Sequence, residues 1–370
     1  MRFDPRRVTL TLAAPVLALV AAVAIASLVL VAAGDPVEEV WRTILQPPKP
    51  RNLVNIINSA SVLYLSGLAV AIGFRMNLFN IGVDGQYRLA AFVAAVVAAQ
   101  GWLPGVLNTI LAVLVAMLVG AMWAGVAAVL KVTRGVSEVI STIMLNAIAT
   151  ALVAFLLRKA SVQVAGSNNI GTEPIPAGTR VPGISLIPDA TNQVYGFVFV
   201  AIAAGIVYSV LLSRTTFGFN LRATGRSETA AVASGIDVKR MVIAAMLISG
   251  AVAGLVGMPL LLGEAYSYGL TFQSGLGFAG IAVALLGRNN PIGIAIGALL
   301  FAYLDEQSNP LQILVGVSDE IVKIVQGIVV LTVVIAYEVV RRYGVAQEQR
   351  KVARELALQR SREAEGVSAS

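Results

Sequence analysis

Cysteine and histidine are both absent from the 370 residues of the chain. Without them the sequence predicts no disulfide, no cysteine or histidine ligand for a metal, and no usual nucleophile–base pair. Histidine is also the side chain that changes charge near neutral pH, so proton coupling through it is excluded. The phosphate-binding motif GxxxxGK[ST] is absent as well, which predicts that this chain is not an enzyme and does not itself hydrolyse ATP.

Charged residues are scarce. They make up 13 % of the chain, whereas 57 % is hydrophobic, and soluble domains carry about 25 % charged residues. This composition predicts an all-α polytopic membrane protein. The net charge of +7 is compatible with nucleic acid binding, but the basic residues lie at loop ends and in the tail, where membrane topology explains them. We therefore expect no nucleic acid partner.

Apolar runs near the length of a membrane span, about 20 residues, recur along the chain. They predict about ten transmembrane helices with broken or re-entrant segments over residues 1–340, followed by a cytoplasmic tail at 341–370. The first run is too long for a signal peptide, and the helix formers of the tail favour a helix on the membrane surface. The predicted spans are 8–33, 53–74, a third ending near 100, 106–130, 138–157, 194–212, 241–262, 278–287, 292–304 and 320–340.

Positive charge predicts the orientation of these spans. With both termini in the cytoplasm, about twenty of the 27 Lys and Arg residues face inward, as the positive-inside rule requires. The six that face outward are Arg42, Lys49, Arg51, Arg158, Lys159 and Arg180. The loop 158–193, rich in Gly, Pro and Asn, is then external, and the basic loop 214–240 is cytoplasmic.

The cytoplasmic loop contains the pattern of a short helix. Ser227 is suited to cap it, Glu228 lies in the first turn where the helix dipole favours a negative charge, and Gly235 is suited to end it. Ala230 and Ala231 lie between these signals. Small side chains on a protruding helix suit docking into a groove of another protein.

A polar break interrupts the apolar pattern at 79–86, FNIGVDGQ. It places Asn80, Asp84 and Gln86 beside two glycines that permit non-helical backbone. Polar groups at membrane depth are costly and usually line a cavity or pair with one another. One interpretation is a substrate-contact segment, and the other is a cytoplasmic turn with a solvated Asp84.

Two further polar positions lie among apolar residues. Asn146, about two turns into the span that Ser137 begins, suits either a hydrogen bond across helices or a contact with substrate. The segment 265–287 combines Gln273 and Ser274 with aromatic residues and glycines, which suits either contact with a ring-shaped ligand or an aromatic belt followed by a closely packed helix. The breaks at 75–88 and 263–277 lie in opposite halves, as an internal duplication would place them.

Four segments in order resemble one family. They are FNIGVDGQ at 79–86, EVISTIMLN at 138–146, RATGRSETAAVASGIDVKR at 222–240 with ISGAVAGLVG at 248–257, and GFAGIAVALLGRNNPIG at 277–293. Together they are similar to the permease subunits of nucleoside-type ABC importers, relatives of the ribose and branched-chain amino-acid permeases. The resemblance covers roughly residues 50–340 and implies the ABC importer permease fold.

The resemblance also implies partners and roles. It implies a second, homologous permease subunit, a cytoplasmic ATPase that binds ATP and Mg, an external substrate-binding lipoprotein and a nucleoside substrate, at the bacterial cytoplasmic (inner) membrane. No metal or cofactor is implied for this chain. The ATPase coupling residues would be Gly225, Arg226, Ser227, Glu228, Ala230, Ala231 and Gly235, and the substrate pathway residues Asn80, Asp84, Gln86, Asn146, Gln273 and Ser274. Thr229 stands where the family usually has glutamate.

Three alternatives stay open on the sequence. A permease for a simple sugar such as ribose would share these features. An ion-coupled secondary transporter needs ionisable groups inside the membrane, for which Asp84 and Glu264 are the candidates. A passive channel would accumulate nothing against a gradient.

Overall fold

The computed structural model describes residues 5–163 and 170–368 of the chain. Residues 164–169, part of the predicted external loop, lie outside this description. The helices in chain order are α1 (Pro5–Ala33), α2 (Val37–Ile44), α3 (Pro50–Phe74), α4 (Val83–Ala99), α5 (Val106–Arg134), α6 (Glu138–Ala160), α7 (Val198–Arg214), α8 (Thr216–Arg226), α9 (Glu228–Ala233), α10 (Val238–Leu255), α11 (Met258–Leu260), α12 (Leu276–Leu286), α13 (Pro291–Pro310) and α14 (Asp319–Ser368). The predicted all-α class is confirmed.

Short strands occur in the loop that follows α6. β1 (Val162–Gln163) pairs antiparallel with β2 (Ile170–Gly171), and β3 (Gly183–Ile184) pairs antiparallel with β4 (Val194–Tyr195). Val162 lies opposite Gly171, and Gly183 lies opposite Tyr195. These two strand pairs order the described residues that they contain.

Five helical segments of the described residues are long and apolar enough to cross a membrane, and six if the pair α7 and α8, bent by 72°, counts as one span. The predicted count of ten is not confirmed. The five are Pro50–Phe74, Val106–Arg134, Glu138–Ala160, Val238–Ala265 and Asp319–Val340. α12 has 11 residues, a length of about 16 Å and so roughly half of a bilayer core. It is therefore a half-helix.

Residues 1–43 and 311–370 form one compact unit, and residues 44–310 form another. In the first unit α1 packs against α14, and Trp41 Nε1 donates a hydrogen bond to Ser27 Oγ at 2.9 Å, which ties α2 to α1. α14 continues without a break past residue 340. The second unit contains all the candidate site residues.

Close helix packing in the second unit depends on glycine. α5 and α10 cross where Gly120 faces Gly250, and a Cβ added at Gly120 would lie 2.2 Å from the Gly250 carbonyl oxygen. One turn further along α10, a Cβ at Gly254 would lie 2.1 Å from the carbonyl oxygen of Ala116. Only glycine lets the two backbones approach this closely, as is usual between helices in membranes.

Two predictions from the sequence are corrected here. The segment 305–319 lies between the predicted spans 292–304 and 320–340, where the sequence predicts a polar connection. It begins inside a helix, because α13 continues to Pro310 and a π-helical turn follows at Leu311–Val315. Ser137 occupies the residue before α6, but its side chain makes no capping hydrogen bond.

Candidate functional site

Asn80 and Gln86 form a buried amide pair in the first polar break. Asn80 Nδ2 donates to Gln86 Oε1 at 3.0 Å, and Gln86 Nε2 donates to Asn80 Oδ1 at 2.9 Å. Asn80 also donates to Ser249 Oγ at 2.8 Å and accepts from the Gly82 amide. Asn80 is fully buried and Gln86 is 1 % exposed. The two amides therefore satisfy each other inside the chain, which removes the cost of placing them among apolar helices.

Asp84 joins the first break to the second. Its Oδ1 accepts hydrogen bonds from the backbone amides of Gly275 at 2.9 Å and Gly277 at 3.3 Å, at the start of α12. A carboxylate at a helix N-terminus satisfies free amides and is favoured by the helix dipole. Arg88 lies 4.0 Å from the other oxygen of Asp84 and donates to Thr150 Oγ1. Asp84 is thus a buried helix cap and not a solvated turn residue.

Asn146 of α6 binds the backbone of the first break. Its Nδ2 donates to the Ile81 carbonyl at 2.9 Å, and its Oδ1 accepts from the Gly85 amide at 2.9 Å. The approach requires glycine, because a Cβ at Gly85 would lie 2.9 Å from the Asn146 Cα. Asn146 thereby makes the hydrogen bond across helices that the sequence allowed, and its contact with substrate stays a prediction.

The second break differs, because Gln273 and Ser274 are exposed. Gln273 lines a pocket of about 330 Å³ together with Glu264, Ser267, Thr271 and Phe272. Tyr195 of β4 donates its phenolic hydrogen to Glu264 Oε2. The pocket therefore combines a fixed carboxylate with an amide, two hydroxyls and an aromatic ring.

Backbone hydrogen bonds from the predicted external loop hold the rim of this pocket. The Thr172 amide donates to the Tyr268 carbonyl at 2.9 Å, and the Ile175 amide donates to the Tyr266 carbonyl at 2.7 Å. Tyr268 is 2 % exposed and stacks on Phe272 with ring centroids 4.5 Å apart. Tyr268 therefore packs in the core and not in a surface aromatic belt.

The predicted helix in the basic loop is confirmed as α9. Ser227 Oγ accepts from the Ala230 amide at 3.2 Å, and Gly235, with φ +80°, follows the last turn. Exposed side chains cover most of this six-residue helix: Glu228, Thr229, Ala230, Val232 and Ala233. Ala231 is the exception at 2 % exposure. Of the two alanines, therefore, only Ala230 is available to a partner.

Residues 75–77, just before FNIGVDGQ at 79–86, contact the end of α8. Asn77 Nδ2 donates to the Gly225 carbonyl at 2.7 Å, and a Cβ at Gly225 would lie 2.4 Å from the Arg75 carbonyl oxygen. The Arg75 guanidinium in turn donates to the Asn289 carbonyl, at 2.8 and 3.3 Å from its two nitrogens. The segment 75–77 thus connects the basic loop to the turn between α12 and α13.

The sequence did not identify several of these contact residues. Ser249 lies in a small-residue run that indicates only close packing, and α8 lies in a stretch whose glycines and arginines look like a loop. For the hydrogen bond between Arg75 and the Asn289 carbonyl, the sequence offers one sign, which is an arginine at the end of an apolar run. Its partner, 214 residues away, is not visible in the sequence.

Comparison with known proteins gives a consistent result. Residues 52–334 match the family model described as "Branched-chain amino acid transport system / permease component". The chain is 32 % identical to the glucose ABC transporter permease protein TsgB13 of Haloferax volcanii, over 95 % of each chain. It is 34 % identical to the guanosine ABC transporter permease protein NupP of Bacillus subtilis, over 74 % of this chain and 78 % of that one.

A third relative is the nucleoside ABC transporter permease protein NupB of Lactococcus lactis, 30 % identical over 78 % of this chain and 80 % of the relative. Bacillus subtilis and Lactococcus lactis each have a second matching protein that is also named a permease.

Proposed function

The chain belongs to the branched-chain amino acid transport system / permease component family, and from this membership we propose that it forms the membrane pathway of an ABC importer for nucleosides. The guanosine and nucleoside permeases among its relatives support this substrate class. The membrane-spanning helices of the chain supply the pathway, and a partner ATPase supplies the energy by binding ATP and Mg.

The short exposed helix α9 is the observation that carries the proposal. It is capped at both ends and presents Ala230 and Val232 to a partner. A closing ATPase pair would displace α9 together with α8 as a rigid body. Gly225 at the end of α8 would transmit the displacement to Asn77, with which it shares a hydrogen bond. Such coupling of a rigid element to alternating access is typical of transporters.

The site residues divide into two groups under this proposal. Gln273 and Ser274 are exposed and would face the pathway, whereas Asn80, Asp84 and Gln86 would hold the two breaks in place. Asn146 would act with the second group through its hydrogen bonds to the first break.

The family and the relatives support part of the proposed assembly. An ABC system with a permease partner is supported by the paired permease relatives. We further propose that the partner is a homologous but different chain and that an external lipoprotein delivers the substrate. The cytoplasmic (inner) membrane of a bacterium, with both termini in the cytoplasm, is the proposed location.

The proposal is tested with Ala230→Arg. This exposed position tolerates a long side chain without disturbing the fold, so the variant should keep its thermal unfolding midpoint in detergent. It should lose the co-purifying ATPase and nucleoside uptake. Ala177→Arg, at an exposed position in the predicted external loop, is the matched control and should keep both. Ala231→Arg is unsuitable, because that side chain is buried.

Uptake measured with a protonophore separates the transporter classes. An ATP-driven importer continues to accumulate nucleoside while ATP lasts, an ion-coupled transporter stops, and a passive channel accumulates nothing. If Ala230→Arg keeps its uptake and no ATPase co-purifies with the unmodified chain, the proposal is wrong.

A sugar is the second candidate substrate, because the glucose permease TsgB13 matches over 95 % of this chain. Competition decides between the two candidates. Unlabelled glucose or ribose in excess should leave uptake of labelled nucleoside unchanged if nucleosides are the substrate.

A further inference from the structure

The pocket beside Glu264 has the chemistry of a binding site for a neutral vicinal diol, and we propose that it holds the ribose 2′- and 3′-hydroxyls of a nucleoside during passage. This inference rests on the proposed function and deepens it. The pocket volume of about 330 Å³ lies at the lower end of the range for small-molecule sites, about 300–1,000 Å³.

The carboxylate of Glu264 is held by the protein while keeping free acceptor positions. Tyr195 donates to one oxygen, which limits the rotation of the side chain. A carboxylate offers about four lone-pair positions, so the remaining ones can accept two more hydrogen bonds. Neighbouring hydroxyls of a ribose ring supply two such donors a short distance apart, and charge-assisted bonds of this kind are stronger than neutral ones.

The other lining groups suit the rest of such a ligand. Gln273 both donates and accepts hydrogen bonds, Ser267 and Thr271 offer hydroxyls, and Phe272 offers an apolar surface. The backbone of Gln273 is fixed, because its carbonyl accepts a 2.8 Å hydrogen bond from Tyr87. The Gln273 amide therefore extends from a backbone that is already ordered before a ligand binds, which reduces the entropy cost of binding.

Charge predicts that the ligand is not an anion. Glu264 is the one charged side chain among the described residues that line the pocket, so a phosphate group would meet a negative charge there. The Arg180 guanidinium lies outside the lining, over the Tyr266 ring, and donates to the Ile175 carbonyl. The N-terminus of the half-helix α12 would otherwise attract an anion. Asp84 already accepts hydrogen bonds from its Gly275 and Gly277 amides. Nucleoside phosphates should therefore be rejected.

Direct binding tests the inference. The chain is purified in detergent with its partner permease and ATPase, and without the external binding protein, whose own site would obscure the result. Saturation-transfer NMR, which detects weak binding, then measures uridine, 2′-deoxyuridine and uridine 5′-monophosphate. We expect uridine to bind about tenfold more tightly than 2′-deoxyuridine, the size of effect that one charge-assisted hydrogen bond gives. Binding of the monophosphate should not be detected.

Variants assign the preference to the carboxylate. Glu264→Gln should weaken uridine binding by more than about tenfold, because two charge-assisted hydrogen bonds become neutral ones, and should weaken 2′-deoxyuridine binding less, because only its 3′-hydroxyl is affected. The preference for uridine should therefore shrink. Tyr195→Phe should reduce the preference by a smaller factor, because the carboxylate stays but is less restrained. Glu173→Gln is the matched control. Glu173 is exposed, lies in the predicted external loop and is outside the pocket lining, so this variant should bind like the unmodified chain.

Equal affinity for uridine in the Glu264→Gln variant and the unmodified chain would overturn the inference, as would tight binding of the monophosphate. Thermal unfolding of the variant checks that the exposed substitution leaves the fold intact. Uptake by the complete importer separates this inference from the proposed function. If nucleosides enter but binding shows no preference for the diol, only the inference fails. If no nucleoside enters, the proposed function fails, and ribose as probe shows whether the pocket still binds a diol.

Discussion

Two polar breaks interrupt the apolar helices, and they differ in where their side chains lie. In the first break Asn80 and Gln86 are buried and bond to each other. In the second Glu264, Gln273 and Ser274 are exposed, and the first two line a pocket. A polar residue between membrane spans is therefore not by itself part of a transport pathway. What separates the two cases is burial: Asn80 and Gln86 use their hydrogen-bonding groups on each other, whereas Glu264, although Tyr195 donates to it, stays exposed to the pocket.

The backbone explains why the breaks differ. In the second break the carbonyls of Tyr266 and Tyr268 accept hydrogen bonds from the amides of the loop that precedes α7, and the hydroxyls of Tyr266 and Ser267 donate to carbonyls of the break itself. The side chains of Glu264 and Gln273 are therefore not used to satisfy its backbone. In the first break Asn80 and Asn146 bond to backbone groups of the break itself. The amides of Asn80, Gln86 and Asn146 are thus used within the chain, whereas the side chains of Glu264 and Gln273 remain open to a ligand.

Gly277→Ala should lower the free energy of unfolding the most, because the added methyl group would force Gly277, at the start of α12, away from the Asp84 backbone of the first break. A Cβ there would lie 2.2 Å from the Asp84 backbone nitrogen and 2.6 Å from its Cα, and overpacking against backbone costs about 3 kcal/mol. Helix propensity favours alanine at this helical position by about 1 kcal/mol. A net loss of stability is therefore caused by the contact with the Asp84 backbone. Chemical unfolding in detergent gives the value.

The matched control for that variant is Gly327→Ala. Gly327 also lies inside a helix, but no atom lies within 4 Å of an added Cβ, so its stability should stay equal or rise slightly. Similar losses in the two variants would show that α12 and α4 are not in contact at Gly277.

Asp84→Ala should cost about 2 kcal/mol, because hydrogen bonds to charged groups contribute about 1.5–3 kcal/mol. The Gly275 and Gly277 amides would lose their acceptor. Asp84→Asn keeps an oxygen acceptor and should recover part of the loss. If Asp84→Asn keeps its unfolding midpoint and yet abolishes uptake, Asp84 contacts substrate, and the division between a structural and a functional break does not hold.

A double-mutant cycle on Asn80 and Gln86 measures the first break alone. Each hydrogen bond inside a membrane protein contributes about 0.6 kcal/mol, and Asn80 and Gln86 share two. We expect a coupling energy of about 1 kcal/mol between Asn80→Ala and Gln86→Ala, measured by unfolding in detergent. Additive losses would show that the amides act independently.

The short helix α9 could be predicted because its signals are local. Ser227 and Gly235 act on backbone groups within a few residues, and a sequence records such relations directly. Asn80 and Ser249 lie 169 residues apart, so their hydrogen bond depends on how the helices pack. The sequence showed that the break is polar, but the same residues suit a buried network and an exposed pathway. Burial, which distinguishes these, is a property of the fold.

Gln273→Ala should have the smallest effect on stability and completes the comparison. Its side chain is exposed, and the hydrogen bond from Tyr87 goes to its backbone carbonyl, which alanine keeps, so the free energy of unfolding should change by less than about 0.5 kcal/mol. Nucleoside uptake should fall nonetheless, because the lost amide belongs to the pocket. Gln86→Ala also replaces a glutamine, but in the first break, and should have the opposite result. Its stability should be lower and its uptake per folded molecule normal. A loss of stability in both variants would mean that the second break is as structural as the first, and that the pathway lies elsewhere in the chain.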